Sequence, residues 1–388
     1  MFSILCIFLR LGLTSFGGPI AHLGYFRVEF VERRRWLSDR AFADLVALCQ
    51  FLPGPASSQV GFGIGLLRGG IMGGIVAWGA FTLPSAILML LFAYSVGDAT
   101  TSPIGAGLLH GLKLVAVAIV AQAVFGMART LCPDRTRASL AVLSIMLVLV
   151  APGAVGQIGA IVLGGAIGLL FCRDEIGLPP DSLAAPVSRM VGTACLGVFF
   201  TLLAVSFIPA SDGVLALFDA FYRSGALVFG GGHVVLPLLH DAIVKPGWVS
   251  DSRFLAGYGA AQALPGPLFT FSTYLGAEAN IPPGGMIGAV VALLSISLPG
   301  LLTLVGTVPF WHALRDEPKA QAIVRGINAA VVGLLGAALY DPVWVSAVQS
   351  RADFAVAIAG FVLLVAWRAP PLLVVVLSAA AGLGLTLA

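Results

Sequence analysis

The chain has 388 residues and a net charge of only +3; 59% of its residues are hydrophobic and 10% are charged. Soluble domains carry about 25% charged residues, and a soluble fold of this length could not hide so much apolar surface from water. The small net charge gives no reason to expect a nucleic-acid partner. Composition therefore predicts an integral membrane protein in contact with the lipid bilayer.

The first two apolar segments of the chain are both interrupted by glycine and proline. Segment 2–24 contains Phe-Gly-Gly-Pro at 16–19, and segment 41–67 contains Pro-Gly-Pro at 53–55. Proline removes a backbone donor and clashes with the preceding turn, while glycine permits backbone angles that other residues avoid. Each segment should therefore be two half-helices that meet at a non-helical break. A membrane tolerates such a break only inside protein or beside a wet cavity.

Apolar runs that are long enough to span a bilayer, about 17–25 residues, recur along the rest of the chain. Examples are 70–96 and 104–128 in the first half and 286–310 in the second. Between the halves lie a polar stretch, 173–188, and one further apolar run, 190–208. The pattern predicts an all-α fold with six apolar segments in each half and one between them.

The second half of the chain repeats the first. Both halves contain the motif R-x-G-x-x-x-F-G-G, which begins at Arg10 and again at Arg223, an offset of 213 residues. Both contain Q-x-L-P-G-P, which begins at Gln50 and again at Gln262, an offset of 212 residues. Two long motifs in the same order at nearly the same offset indicate an internal duplication.

The duplication divides the chain into three parts. The first transporter-like repeat is predicted at 1–172, a polar linker with one connecting transmembrane helix at 173–216, and the second repeat at 217–388. Repeats of this kind are typical of secondary transporters, which hold their substrate near the midplane between the two copies.

The arginine distribution favours one of two topologies. Loop 25–41 holds five arginines, loop 129–137 holds three and loop 97–103 holds none. The positive-inside rule places both arginine loops in the cytoplasm if the broken segments are re-entrant hairpins, whereas the loops fall on opposite sides if those segments cross. We prefer the hairpins. In that topology each repeat crosses the membrane four times, and the linker helix inverts the second copy. Some basic residues of the second half then lie outside the cell, against the positive-inside rule.

The repeated motifs resemble the chromate ion transporter family. The match lies in residues 16–19, 33–38 and 49–55, with second-half partners at 229–233 and 262–267. The resemblance covers nearly the whole chain. It implies a multi-pass protein of the plasma (inner) membrane that exports chromate and confers chromate resistance. Sulfate or another small oxyanion is the alternative substrate.

A tetrahedral oxyanion needs hydrogen-bond donors in a small space together with positive potential. Backbone amides at helix N-termini supply both, so helices that are broken inside the membrane would expose new anion-binding ends. Hydroxyl and amide side chains beside the breaks add donors. The alternative is that Pro-Gly-Pro only shapes a kink and the glutamines bind loose carbonyls. The predicted substrate-binding residues are Gly17, Gly18, Gln50, Gly54, Ser57, Ser58, Lys113, Gly230, Gly231, Gln262, Gly266 and Thr270. The predicted breaks or gates are Pro19, Pro53, Pro55, Pro265 and Pro267.

Charged residues inside the apolar segments are further candidates, since a charge at the bilayer centre costs about 2.5–3.5 kcal/mol. Arg10 and Arg223 occupy equivalent positions and either attract the anion or serve structural pairing. Lys113 stands nearly alone in a long apolar run and is predicted to offset substrate charge. Glu29 and Asp241 align across the repeat and are candidates for proton coupling; the alternative is that both are interfacial charges.

A transporter is preferred over the other functional classes. An intramembrane enzyme would need clustered His, Asp, Ser or metal ligands, and the five cysteines form no C-x-x-C pair. A channel would show neither saturation nor counter-flow. The chain has no Gly-x-x-x-x-Gly-Lys-Ser/Thr loop, so ATP is not expected to drive it. No enzymatic activity, cofactor or metal is expected, and the sequence leaves a homodimer open.

Overall fold

The structure is a computed structural model, and it describes residues 1–99, 102–151, 153–172, 186–208 and 213–387. All regular elements in these residues are helices, which confirms the predicted all-α class. Most of the predicted polar stretch 173–188 lies outside the described residues, as do residues 100 and 101 of the loop 97–103.

The helices of the first half are α1 (Phe2–Thr14), α2 (Gly18–Phe26) with a π-helical continuation (Arg27–Arg33), α3 (Asp39–Phe51), α4 (Ala56–Ala99), α5 (Pro103–Leu131), α6 (Arg135–Val150) and α7 (Ala154–Phe171). Helix α8 (Arg189–Val205) lies between the halves. The second half contains α9 (Gly213–Ala226), a 3-10 turn (Gly232–Val234), α10 (Val235–Leu239), a π-helical turn (His240–Val244), α11 (Asp251–Ala261), a 3-10 turn (Leu268–Thr270), α12 (Phe271–Glu278), α13 (Gly285–Thr307), a 3-10 turn (Val308–Phe310), α14 (Trp311–Arg315), α15 (Pro318–Ala338), a π-helical turn (Leu339–Trp344), α16 (Val345–Ala347), α17 (Arg351–Val365) and α18 (Pro371–Leu387).

Several helices are long and apolar enough to cross a bilayer, which confirms a multi-pass membrane protein. Among the described residues there are five such segments: Ala56–Ser95, Pro103–Leu131, Ala154–Phe171, Gly285–Arg315 and Pro318–Ala347. Helices α1, α8 and α18 are shorter apolar helices, and α8 falls where the sequence predicts the linker helix.

The Phe-Gly-Gly motif of the first half forms the tip of a helical hairpin. Gly17 and Gly18 have φ angles of 101° and 75°, which other residues rarely adopt. Beyond this tip, α2 and its π-helical continuation run back along α1. The ring of Phe8 stacks on that of Phe30 with their centroids 5.0 Å apart. The predicted break is therefore confirmed, and its two half-helices lie side by side.

Pro-Gly-Pro at 53–55 forms the tip of a second hairpin. Helix α3 leads into the tip and the first part of α4 leads out of it. The two helices pack so closely that a Cβ added at Gly63 would lie 2.7 Å from Cδ1 of Leu45.

Helix α4 is itself divided by a sharp turn. Gly69 and Gly70 have non-helical backbone angles. A side chain at Gly65 would overlap the carbonyl oxygen of Gly73, although a straight helix would separate the two positions by about 12 Å. Residues 56–68 and 71–99 therefore form two antiparallel helices, of which only the second is long enough to span.

The second half builds the same arrangement from different side chains. Gly230 and Gly231 form one tip with φ angles of 73° and 154°. At the other tip α12 runs back along α11, since the Tyr274 hydroxyl donates to the Arg253 carbonyl at 3.0 Å. Helix α12 then reverses into α13, where a side chain at Gly276 would overlap the backbone. The predicted repeat of broken segments is thus confirmed.

The two repeats interlock through their last helices. Helix α5 of the first repeat packs along α18 of the second, and its counterpart α15 packs along α7 of the first. At both of these helix–helix contacts a glycine lies where the two backbones meet. A Cβ at Gly111 would overlap the backbone of Ser378, and a Cβ at Gly326, the position equivalent to Gly111, would overlap that of Gly164. Small residues let helix backbones approach closely without lipid between them.

A buried ion pair joins α3 of the first repeat to α14 of the second. Asp44 accepts hydrogen bonds from Nε1 of Trp311 at 2.9 Å and from Nη1 of Arg315 at 3.2 Å. Asp44→Ala should lower the free energy of unfolding by about 3 kcal/mol, because it leaves a buried arginine without this partner. Thermal unfolding in detergent measures the loss. The exposed pair Asp39–Arg27 is the control, and Asp39→Ala should cost far less stability, because water screens this pair. Equal losses in the two variants would contradict the structure.

Candidate functional site

The four hairpin tips meet in the middle of the molecule, and each repeat is tied to the other there. The Gly54 amide donates to the Val228 carbonyl at 2.7 Å, and the Gly266 amide donates to the Ser15 carbonyl at 3.0 Å. Gly54 and Gly266 are equivalent positions, and so are Ser15 and Val228. The Pro-Gly-Pro tip of each repeat therefore binds the residue just before the Phe-Gly-Gly tip of the other. We call this meeting place the junction.

Glycine is required at both Pro-Gly-Pro tips. Gly54 and Gly266 have φ angles of 117° and 94°. A Cβ at Gly54 would lie 2.9 Å from the Gly300 Cα, and one at Gly266 would lie 2.7 Å from the Ser85 Oγ. Positions 300 and 85 are equivalent in the two repeats. Each Pro-Gly-Pro tip therefore contacts the corresponding helix of the opposite repeat, α13 for Gly54 and α4 for Gly266.

The amides of Gly54 and Gly266 are therefore not free in this conformation. The sequence suggested that breaks expose unpaired amides to an anion, but these two amides are bound to carbonyls across the junction. Instead, the segments that form the junction contain buried polar side-chain atoms that have no hydrogen-bond partner. Eight buried side-chain N or O atoms in the described residues have no hydrogen-bond partner, and all lie in the tips or in helices that lead to them or touch them. One, Asp44 Oδ2 of α3, belongs to the buried ion pair with Arg315, and the other seven are Ser15 Oγ, His22 Nδ1, Gln59 Oε1, Thr82 Oγ1, Gln262 Nε2, Thr273 Oγ1 and Asn328 Oδ1.

Buried polar groups are normally paired. Several unpaired buried polar atoms on the segments that form the junction therefore indicate a site for water or a polar ligand. Gln262 Nε2 has no hydrogen-bond partner of good geometry, although the Tyr258 hydroxyl lies beside the same side chain, and an amide donor of this kind is what an oxyanion requires. Asn328 lies beside the second Phe-Gly-Gly tip, where its Oδ1 is 3.3 Å from the position of a Cβ at Gly230.

The predicted polar residues near the tips fall into two environments. Gln50 is exposed, whereas its equivalent Gln262 is partly buried. Ser57 and Ser58 are buried at the start of α4. Thr270 is also buried, but its hydroxyl donates to the Pro267 carbonyl at 2.8 Å and thereby closes the tip.

The predicted break prolines lie in the tips that form the junction, and their role as gates stays a prediction. Pro19 is the second residue of α2, and its Cγ lies 3.8 Å from the position of a Cβ at Gly232, so the two Phe-Gly-Gly tips face each other. Pro53, Pro55 and Pro265 flank the two Pro-Gly-Pro turns and are buried.

Two residues of the junction were missed in the sequence. Gln59 is fully buried, and its Nε2 donates to the carbonyls of Pro53 and Gly300 at 3.0 and 2.9 Å. His22 is also fully buried, with Nε2 3.1 Å from the Ser15 carbonyl oxygen. Neither has a like residue at the equivalent position of the second repeat, so a search for duplicated motifs passes over both.

Two charged candidate residues of the first repeat form an ion pair with each other outside the junction. Arg10 pairs with Glu29 at 2.7 Å, and Glu29 also contacts Arg34 and Arg33. Burial raises the pKa of Glu29, but the hydrogen bond from Arg34 and the charges of Arg10 and Arg34 outweigh it, so the pKa lies below its ordinary value. A carboxylate held ionised in this way is poorly suited to carrying a proton.

The second-repeat counterparts are arranged differently. Arg223 donates to the Ser206 carbonyl at 2.7 Å rather than to an acid. Asp241 forms an ion pair with Lys245 and accepts from Gln157 Nε2 at 2.5 Å. A cavity of about 160 Å³ borders this group and is lined among others by Gln157, Pro237, His240, Asp241, Lys245 and Asp341. None of the tip residues in the described chain lines that cavity.

Lys113 is not brought to the second Phe-Gly-Gly tip. It lies in α5 about 21 Å along the helix from Met127, the α5 residue that meets Gly230. Its charged neighbour is Asp353, which also binds His110 Nε2 at 2.6 Å. Lys113 therefore lies in the electrostatic field of the His110–Asp353 pair between α5 and the start of α17.

Comparison with known proteins gives the family. The model of the family described as "Chromate transporter" matches residues 2–169 and 215–383, one match for each repeat. The chain belongs to the chromate transporter family.

Curated relatives extend over most of this chain. A "Chromate transport protein" of Pseudomonas aeruginosa is 30% identical over 381 residues, which cover 97% of this chain and 89% of that protein. A "Probable chromate transport protein" of Synechococcus elongatus is 27% identical and covers 97% and 93%. A "Chromate transport protein" of Cupriavidus metallidurans is 26% identical and covers 87% and 81%. No solved structure matches the chain.

Proposed function

We propose that this member of the chromate transporter family exports chromate across the plasma membrane and binds it at the junction of the four tips. The observation that carries the proposal is the junction itself, where both repeats contribute and unpaired buried polar atoms collect. Substrate held between two repeats is the usual arrangement of secondary transporters. Gln262, the hydroxyls of Ser57 and Ser58 at the start of α4, and the unpaired Thr273 hydroxyl of α12 supply the donors.

Energetics favours export. With the cell interior negative, a charge gains about 2.3 kcal/mol for each 100 mV crossed, so a dianion gains about 4.6 kcal/mol on leaving. The membrane potential, alone or together with proton exchange, is therefore a sufficient driving force. Uptake of the same dianion would need a strong coupled driver.

The proposal includes the paired-hairpin topology with an inverted second repeat. Contacts that group the loops at two ends of the molecule support it. At one end Arg68 stacks over Trp36 at 5.1 Å and Arg325 Nη1 donates to the Cys172 carbonyl at 3.1 Å. At the other end His110 binds Asp353. We assign the first end, which carries the arginine-rich loop 25–41, to the cytoplasm.

Cysteine labelling tests the topology. In a cysteine-free background, single cysteines at positions 34 and 135 should react with a membrane-impermeant reagent only from the cytoplasmic side, and a cysteine at position 99 only from the opposite side. The two arginine loops share a side only if the broken segments turn back. Labelling of positions 34 and 135 from opposite sides would contradict the hairpins.

Flux measurements test the function. Everted vesicles that contain the protein should accumulate radiolabelled chromate, with saturation, when the membrane potential is imposed. Collapse of the proton gradient alone separates potential-driven from proton-coupled transport. Accumulation in right-side-out vesicles instead would overturn the direction, and a linear, unsaturable flux would indicate a channel.

Sulfate is the second candidate substrate because it has the same shape and charge. Competition between unlabelled sulfate and labelled chromate in the same vesicles ranks the two ions. An intramembrane enzyme is the candidate of another class. Among the described residues no three His, Cys, Asp or Glu side chains cluster as metal ligands. An assay of the detergent-solubilised protein against lipid substrates checks that class directly.

A further inference from the structure

His22 occupies a central position in the junction. Its side chain is fully buried, and its ring packs edge-on against Phe81 with centroids 5.3 Å apart. Its Nε2 lies 3.1 Å from the Ser15 carbonyl oxygen, which also accepts the cross-repeat bond from the Gly266 amide. A carbonyl can only accept, so Nε2 carries the hydrogen.

The other ring nitrogen of His22 is left with nothing to bind. When Nε2 of a neutral imidazole carries the hydrogen, Nδ1 presents a lone pair and acts as an acceptor. The Nδ1 of His22 is buried and has no partner in the described residues. An oxyanion without a proton cannot satisfy this atom, because both groups are acceptors. A proton between them can.

Charge balance leads to the same requirement. Of the cations that the sequence offered for the substrate, Arg10 is paired with Glu29, Arg223 donates to the Ser206 carbonyl, and Lys113 lies in the electrostatic field of Asp353. A dianion that enters a buried site without a counter-charge loses its hydration and gains little in return. Addition of one proton halves the charge that the site must hold, and an oxyanion that crosses with this proton gains half as much free energy from the membrane potential as the bare dianion does.

We propose that each oxyanion binds at the junction together with one proton, shared between His22 Nδ1 and a substrate oxygen. The inference rests on the proposed function and deepens it. The proton is either on the oxygen, which then donates to Nδ1, or on Nδ1, which then donates to the oxygen. Both forms contain the same atoms and the same total charge, and no other bond forms or breaks.

A shared proton selects the class of substrate. It requires an oxyanion basic enough to be protonated near neutral pH. Chromate meets this requirement, whereas sulfate has the same tetrahedral shape and charge but is a far weaker base. His22 therefore lets the site distinguish two ions that size and hydrogen-bond count alone do not separate.

Other titratable groups near His22 do not supply this proton. His233, the nearest other histidine across the junction, has its Nδ1 2.7 Å from the Tyr258 hydroxyl. The described charged and titratable side chains of α1, α2, the π-helical continuation and α4 pair with one another, stack on an aromatic ring or are exposed: Cys6, Arg10, Tyr25, Arg27, Glu29, Glu32, Arg33, Arg68 and Tyr94.

Calorimetry of chromate binding to the purified wild-type protein tests the inference. The titration is run at one pH, where free chromate is mostly the dianion, in two buffers that differ in ionisation enthalpy. We expect the difference in heat to correspond to the uptake of one proton per chromate bound. Binding without proton uptake would overturn this inference but leave the proposed function standing. No binding of chromate at all would overturn both.

His22→Gln identifies the group responsible. A glutamine amide can still donate to the Ser15 carbonyl from near the Nε2 position, but it cannot share a proton. Proton uptake should fall from one to none, and the preference for chromate over sulfate should disappear. His312→Gln, at an exposed histidine, is the control and should retain both. Proton uptake that persists in His22→Gln would overturn the inference, and the wild-type titration tests it even if this variant does not fold.

Discussion

Gly54→Ala should abolish chromate transport, the largest functional effect expected of any single methyl group in the chain. The residue has a φ of 117°, and its new Cβ would lie 2.9 Å from the backbone Cα of Gly300. Backbone strain of about 1–3 kcal/mol adds to the clash, and no side chain can be trimmed to relieve it. The tip must therefore move and release the Val228 carbonyl. Vesicle flux, normalised to the amount of protein in the membrane, measures the loss.

Gly266→Ala provides the matched comparison for this prediction. Its new Cβ would meet the Ser85 hydroxyl at 2.7 Å, so Gly266→Ala combined with Ser85→Ala should recover part of the flux. Gly24→Ala, in α2 with no atom near the added methyl, should transport like wild type. Normal flux in Gly54→Ala would show that the tips are packing kinks without a role in the anion path.

Gly326→Ala and Gly111→Ala should each destabilise the fold clearly. The added methyl would overlap backbone atoms of α7 or α18, and both sides of the contact are backbone, so only a separation of the helices relieves it. Overpacking costs about 1–3 kcal/mol and occasionally more. Thermal unfolding in detergent should show the loss in both variants.

Gly126→Ala is the control on α5, since nothing lies within 4 Å of its added methyl. This substitution should leave the stability unchanged or raise it, because alanine favours a helix over glycine by about 1 kcal/mol. Equal stabilities of Gly111→Ala and Gly126→Ala would contradict the exchange of helices between the repeats.

The sequence predicted those parts of the fold that depend on local chemistry. Glycine and proline at 16–19 and 53–55 break helices wherever they stand, and their recurrence at 229–233 and 262–267 revealed the duplication. What each break would face depended on contacts between residues far apart in the chain. The bond from Gly54 to Val228 leaves no trace in either motif, so the engagement of that amide could not be predicted.

The site residues show even more clearly that a motif does not predict the environment of its residues. Gln50 and Gln262 stand in the same motif, yet the first is exposed and the second is partly buried. The two Phe-Gly-Gly tips also have different neighbours. Met127 of α5 lies against Gly230, whereas a side chain at Gly17 would meet only Ala21 of its own hairpin. Identical motifs therefore do not give identical environments.

The central claim is that the oxyanion binds where the four tips meet. The most direct test is to locate chromium in the protein with chromate bound, from its anomalous scattering in crystals. The account predicts one peak between the tips of Gly54 and Gly266, within reach of Gln262 Nε2 and His22 Nδ1. A peak in the cavity beside Asp241 and Lys245, with none at the junction, would contradict it.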